Sequence, residues 1–196
     1  MTAYAALLRG VNVGGNRSVP AAVLRAIGTD AGFEAPATLL NSGNLVLGAG
    51  RPGTPAAACS TADDAARLVR DELGSRLGLE VDVVVVTHAD LDAVVAANPF
   101  PQESATEPSK VLVTFYLDPP DPERLAAIDL TGFPERMVWA GGVGIAHYPG
   151  GAGTSKLTPA FLRRAVGSDG TARNWNTVLK LRELLADRES IGQPID

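Results

Sequence analysis

The residues best suited to chemistry are cations set among glycines and asparagines. Arg9 leads into Gly10-Val11-Asn12-Val13-Gly14-Gly15-Asn16-Arg17, and Ser42-Gly43-Asn44 forms a second glycine turn. Lys156 closes the run Gly150-Gly151-Ala152-Gly153-Thr154-Ser155-Lys156, and Arg173 opens Arg173-Asn174-Trp175-Asn176. Guanidinium and ammonium groups give charge-assisted hydrogen bonds to phosphate or carboxylate, and Asn and Ser add neutral ones. Glycine lets backbone N–H groups come close to an anion. Three of the cations, Arg17, Lys156 and Arg173, stand just before expected helix starts. A helix N-terminus carries partial positive charge and favours acids by about 0.3–1 kcal/mol each. Asp63/Asp64, Asp90 and Asp121/Glu123 obey that preference at three other helices. A cation at such a place is reconciled with the dipole when an anion sits between them, although an exposed cation also swings into water at little cost. The expected ligand set is therefore Arg9, Asn12, Gly14, Gly15, Arg17, Ser42, Gly43, Asn44, Gly153, Ser155, Lys156, Arg173, Asn174, Trp175 and Asn176. Within it, Trp175 suits stacking on a ring but packs more often on its own domain, and Asn174 and Asn176 also suit helix caps.

Other chemistries fit less well. Gly150–Lys156 departs from the phosphate-loop pattern, because Ser155 precedes Lys156 and Leu157 follows it. Gly10–Gly15 lacks the dinucleotide spacing, and neither Ser42 nor Ser155 lies in G-x-S-x-G. His88 follows the cap residue Thr87 and reads as a solvated first-turn residue. His147 follows Ile145 on a strand and is expected on the opposite face. Cys59, the one cysteine, excludes an internal disulfide and has no basic neighbour to lower its pKa. No metal-ligating cluster and no carboxylate pair stands out, so no catalytic residue, metal or cofactor is assigned.

The elements that must position these residues follow from hydropathy and caps. Ala3–Leu8 reads as a buried strand, and Pro20 opens a helix ended by Gly32. Ala37–Leu40 and Leu45–Leu47 flank the Asn41–Asn44 turn. Ser60 or Thr61 caps a helix, Val81–Val86 is a strand, and Thr87-x-x-Asp90 caps a short helix. Residues 98–109 hold three prolines and read as a linker. The order then restarts: strand Val111–Leu117, helix from Asp121-Pro122, hairpin Met137–Trp139 with Val143–Tyr148, helix from Thr158-Pro159, strand Thr171–Arg173, and a last helix capped by Asn174. The order β-α-β-β-α-β thus appears twice. The expected fold is α+β: two tandem ferredoxin-like (α/β-plait) halves, residues 1–100 and 110–196, joined by 101–109 and ending in a helix. In each half the crossover brings its glycine loops to one sheet edge.

The stretch Leu7-Leu8-Arg9-Gly10-Val11-Asn12-Val13-Gly14-Gly15, with Val19-Pro20 and Leu24-Arg25, resembles the opening of the bacterial family known as domain of unknown function 1697 (DUF1697). Ser42-Gly43-Asn44, Asn98-Pro99-Phe100, Ser155-Lys156-Leu157-Thr158 and Ala172-Arg173-Asn174-Trp175-Asn176-Thr177-Val178 are similar to it too. The resemblance runs from about Tyr4 to about Leu185. It implies two α/β-plait halves and carries over no activity, cofactor or catalytic residue.

Composition bounds the functional readings. The 196 residues carry 17 basic and 22 acidic side chains, a net charge of −5, which argues against general nucleic-acid binding. No apolar run approaches the ~20 residues of a membrane span. The start, Met1-Thr2-Ala3-Tyr4, reads as no secretory signal, so a cytoplasmic location is expected. The sequence leaves the oligomeric state open, with a monomer favoured over an oligomer. The first expectation for function is binding of a small phosphate- or carboxylate-bearing ligand at the glycine and asparagine loops. The alternatives are a phosphoryl- or nucleotidyl-transfer or hydrolytic enzyme using the same loops, and a protein- or RNA-interaction module using the sheet faces.

Overall fold

The computed structural model describes residues 2–12, 18–39 and 43–191. The chain is a mixed α+β protein with two four-stranded antiparallel sheets and seven α-helices among the described residues, the last of them C-terminal. The first sheet draws on β1 (Tyr4–Leu8), β2 (Ala37–Thr38), β3 (Asn44–Leu47) and β4 (Val83–Val86), with α1 (Ala21–Ala31) and α2 (Ala62–Leu77) between them. Two short helices follow, α3 (His88–Ala96) and α4 (Pro101–Thr106). The second sheet draws on β5 (Val111–Tyr116), β6 (Arg136–Ala140), β7 (Val143–His147) and β8 (Gly170–Asn174), with α5 (Pro122–Ala126) and α6 (Pro159–Val166) between. Helix α7 (Trp175–Ile191) ends the described chain.

The two sheets share one plan. Their orders are β2-β3-β1-β4 and β6-β7-β5-β8. In each, the first strand lies between two antiparallel partners: β1 pairs Ala6 with Leu45 and Val85, and β5 pairs Val113 with Ile145 and Arg173. β1 reads Tyr-Ala-Ala-Leu-Leu and is buried throughout, with Tyr4, Ala6 and Leu8 on the face that meets the helices. Contacts divide the chain into two compact units, Met1–Leu91 with Lys180–Asp196, and Asp92–Leu179.

In the first unit Tyr4, Ala6 and Leu8 of β1 share a core with Leu24, Ile27, Phe33, Leu45, Leu47, Val69 and Leu73. The later turns of α7 belong to this unit as well. Glu189 accepts from the Ala3 amide at 3.4 Å, and Arg188 donates to the Ala35 carbonyl at 2.9 Å. In the second unit Ala146, Tyr148, Leu157 and Leu162 form the corresponding cluster, with Phe133 and Phe161 in tilted contact at 5.1 Å.

Caps sit where the sequence places them. Asp121 caps α5 and Thr158 caps α6. Asn174 accepts from the Thr177 amide at 3.0 Å at the start of α7. The segment 98–109 contains α4 and a 3-10 turn, Pro108–Lys110. Pro101 stands in the first turn of α4, and Asn98 braces that turn by accepting from the Phe100 amide and donating to Ser104 Oγ.

The N-terminus of α2 carries a full capping box. The Asp64 amide donates to Thr61 Oγ1 at 3.1 Å, while Asp64 Oδ2 accepts from the Thr61 amide and hydroxyl and from the Ser60 amide and hydroxyl. The Thr61 hydroxyl first, and Ser60 next, pull the Asp64 carboxyl from 3.8 down to about 2. A carboxyl depressed in the folded state adds stability above its unfolded pKa and loses it as pH falls through the folded value. In thermal melts the Tm advantage of the native chain over Asp64→Ala is expected to hold at pH 5 to 7 and to shrink between about pH 4 and pH 2. A gap that stays constant down to pH 2 contradicts the assignment.

Candidate functional site

The expected loop residues of the first unit share an edge, as the crossover requires. The Leu8 amide donates to the Gly43 carbonyl at 2.8 Å, which joins the end of β1 to the turn before β3. Gly43 has φ +70, and a Cβ there would lie 2.3 Å from Val11 Cγ2, so the two loops touch only because this residue is glycine. The polar groups on this edge serve the fold. Arg9 Nη1 pairs with Asp82 Oδ2 at 2.9 Å. Asn12, at φ +57, clasps Val19 in both directions, accepting from its amide at 2.9 Å and donating to its carbonyl at 3.2 Å. Asn44 is fully buried and donates to the Leu39 carbonyl at 3.0 Å. Gly14, Gly15, Arg17 and Ser42 lie outside the described residues.

The second unit also gathers its loops on one edge. His147 at the end of β7 pairs with Val111 at the start of β5, and Asn174 at the end of β8 pairs with Leu112. The Gly150–Lys156 loop and the β8–α7 junction therefore leave the sheet on the same side. Their side chains diverge. Arg173 and Asn174 are consecutive on a strand and point to opposite faces. Arg173 is buried, donating to Thr171 Oγ1 at 2.6 Å and to the Ala172 carbonyl at 2.9 Å, and burial pulls its pKa down to about 10, still charged at neutral pH. Trp175 is buried too, 4 % exposed. Asn174 is the cap of α7, and Asn176 is exposed. Ser155 Oγ accepts from the Leu157 amide at 2.9 Å, and Gly153 sits in a 3-10 turn. Lys156 is exposed, with no ion pair among the described residues.

His147 corrects one expectation. Residues two apart on a strand share a face, so His147 lies on the same face as Ile145, in a strand buried on both faces. Its Nδ1 is 3.5 Å from Arg136 Nη2 and its Nε2 is 3.5 Å from Glu107 Oε2. Arg136 stacks over Phe100 at 5.0 Å and pairs with Glu103. Glu107 also accepts from Lys110 Nζ at 2.8 Å, and that bond first, with His147 adding, lowers its pKa. Both ring nitrogens thus face the protein's own charged groups, and the arrangement ties α4 to β6 and β7. Burial, and then Glu135, push the Tyr148 hydroxyl up to about 12, so it stays protonated at neutral pH.

A concave polar site lies at the opposite edge of the second sheet. It is an open pocket of about 330 Å³ lined by Leu117, Asp118, Arg163, Arg164, Gly167, Ser168 and Asp169. Three segments build it: the end of β5, the last turn of α6, and the turn into β8. Ser168 ties them together, accepting from the Asp118 amide at 3.0 Å and donating to the Asp169 carbonyl at 3.2 Å. Gly167 closes α6 at φ +85, and Arg124 Nη1 lies 2.8 Å from where its Cβ would be, so the Arg124 guanidinium packs against this residue of the pocket wall. Arg163 Nε is 3.8 Å from Asp169 Oδ1. The charged lining is Arg163 and Arg164 against Asp118 and Asp169, with Arg124 beside Gly167. Reading cations only at helix starts misses this site; its sequence signal is the doublet Arg163-Arg164 ahead of the Gly167-Ser168-Asp169-Gly170 turn.

The clasp at Asn12 gives a direct check on the structural role of the first edge. Asn12→Ala is expected to destabilise the chain by about 1–3 kcal/mol in denaturant unfolding, from two lost hydrogen bonds and a strained positive φ. Asn12→Gly should recover the backbone part only. A neutral Asn12→Ala contradicts the role.

Comparison with known proteins agrees with this architecture. One solved structure, described as that of conserved bacterial protein SP0830 from Streptococcus pneumoniae, matches with a TM-score of 0.68 at 21 % identity, covering 94 % of this chain and 98 % of that one. At that identity the likeness is one of fold. No curated protein matches the sequence. None of the helices among the described residues is long and apolar enough to cross a membrane. The family model described as "Protein of unknown function (DUF1697)" matches residues 1–143, and the chain belongs to that family.

Proposed function

We propose that the chain is a binding protein for a small phosphate- or carboxylate-bearing ligand, and that the ligand's anionic group is held in the pocket beside α6. The observation that carries the reading is that Arg163 and Arg164 line one concave surface with a braced polar floor, with Arg124 packed against Gly167 of its wall. Guanidinium groups match phosphate and carboxylate oxygens in pairs of parallel hydrogen bonds. Cations near the last turn of a helix also satisfy its negative dipole end. Arg163 meets Asp169 only at 3.8 Å, and Arg164 has no ion pair among the described residues, which leaves donors for an anion. The volume is at the small end of ligand sites, suited to a metabolite-sized molecule.

A second reading keeps the ligand at the Gly150–Lys156 edge, and the observation favouring it is the exposed Lys156, free of any ion pair among the described residues, ahead of a helix with no acid in its first turn. Arg9 and Arg173 are less suited to it, the one paired and the other buried. In the same proposal each half, 1–100 and 110–196 about the segment 101–109, is a ferredoxin-like unit; the repeated strand orders β2-β3-β1-β4 and β6-β7-β5-β8 support that.

Thermal-shift titration of the full chain with inorganic phosphate, sulfate, citrate and adenosine monophosphate, at ionic strength matched with sodium chloride, tests both readings. The expected outcome is a rise of roughly 2–4 °C at about tenfold-saturating anion. The rise should vanish in Arg163→Gln/Arg164→Gln and persist in Lys156→Ala. The reverse pattern moves the ligand to the glycine loop, and no rise with any anion rejects the binding reading.

A further inference from the structure

The edge strand β6 pairs with β7 and with no other described strand. Of the other edge strands, β2 is two residues long, the valines of β4 are buried or half-buried, and β8 carries the buried Arg173 and runs straight into α7. On β6, Val138 is 41 % exposed, the one exposed large hydrophobic side chain among the described residues. The strand reads Arg-Met-Val-Trp-Ala, with no lysine, proline or bulge of the kind that blunts an exposed edge.

The hairpin fixes which backbone groups of β6 are free. Gly141 and Gly142 have φ +57 and +82, a two-residue turn, and Ala140 and Val143 close it. Hydrogen-bonded pairs alternate along an antiparallel ladder. Ala140, Val138 and Arg136 therefore exchange bonds with Val143, Ile145 and His147, while the N–H and C=O groups of Met137 and Trp139 point outward.

We propose that this edge pairs with the same edge of a second copy of the chain, joining two second-unit sheets into one eight-stranded sheet. The pairing is antiparallel about a two-fold axis at Val138. Met137 of each copy then faces Trp139 of the other, and their outward groups make four backbone hydrogen bonds. Val138 meets Val138 in a pair without backbone bonds, where side chains come closest. Arg136 falls opposite Ala140, so no like charges meet. Shifting the axis by one residue to Met137 sets Glu135 against Trp139, and shifting it to Trp139 leaves Met137 opposite Gly141. The Val138 register alone places apolar side chains opposite one another at every outward pair. The sequence expectation of a monomer gives way to a weak dimer, since five residues a side bury an area at the transient end of protein interfaces.

Sedimentation equilibrium of the full chain tests the proposal. The mass is expected to rise from 20.3 kDa towards about twice that across the micromolar range. Val138→Lys and Val138→Glu should each be monomeric, with the native far-UV circular dichroism. Their equimolar mixture should dimerise again, because Lys and Glu then face each other at the axis. Met137→Pro, which removes an outward donor and no β6–β7 bond, should also be monomeric. A native chain monomeric throughout, a dimer that persists in the single variants, or a mixture that stays monomeric overturns the proposal.

Discussion

Each sheet depends on the strand that opens it in the chain. β1 and β5 lie in the interior of their sheets, each bonded on both sides. Because both neighbours run antiparallel to it, the central strand sets two registers at once. A slip of one residue would turn Leu8, Ala6 and Tyr4 away from the core they share with Phe33 and Leu73. That constraint brings the turn at Gly43 against the end of β1, although the two are more than thirty residues apart in the chain. It also sends the loops after β7 and β8 to one side of the second sheet. The pocket beside α6 is the reciprocal consequence, since the end of β5 and the approach to β8 must meet at the other side.

The charges follow from the same geometry. A cation on a loop is free to bind a ligand only if no acid of the fold lies within reach. Asp82, just before β4, is held beside the end of β1 by the β1–β4 ladder, and it takes Arg9. Arg136 faces α4 and is shared among Glu103, His147 and the ring of Phe100. Arg173 takes the buried face of β8 by strand alternation, and a buried guanidinium that loses solvation has its pKa lowered rather than presenting itself to solvent. The arginines of α5 and α6 stand on exposed helix surface around a short turn, where Arg163 meets Asp169 only at 3.8 Å.

The legible part of the molecule is the local part. Caps at Thr61, Asp121, Thr158 and Asn174 are set by residues within three positions of each other, so their spacing is visible in sequence. The apolar run of β1 and the Gly141-Gly142 turn are equally local. What escaped were pairings across long separations. Arg9 meets Asp82 across 73 residues, Ala3 meets Glu189 across 186, and nothing in hydropathy marks either partner. Cations at a helix start depart from the dipole rule and so stand out in sequence. Arg163 and Arg164, at a helix end, obey that rule and carry no such mark. His147 shares strand parity with Ile145, so it lies on the same face as that residue and not on the opposite one.

The central claim, that the anionic ligand belongs beside α6 rather than at the glycine loops, is tested most directly by locating it. Amide chemical shifts of the isotopically labelled full chain, followed during phosphate titration at constant ionic strength, report the site residue by residue. The account predicts saturable shifts confined to Leu117–Asp118 and Arg163–Asp169. Saturable shifts centred on Gly150–Lys156 or on the Arg9 and Asn44 edge, or none anywhere, would contradict it.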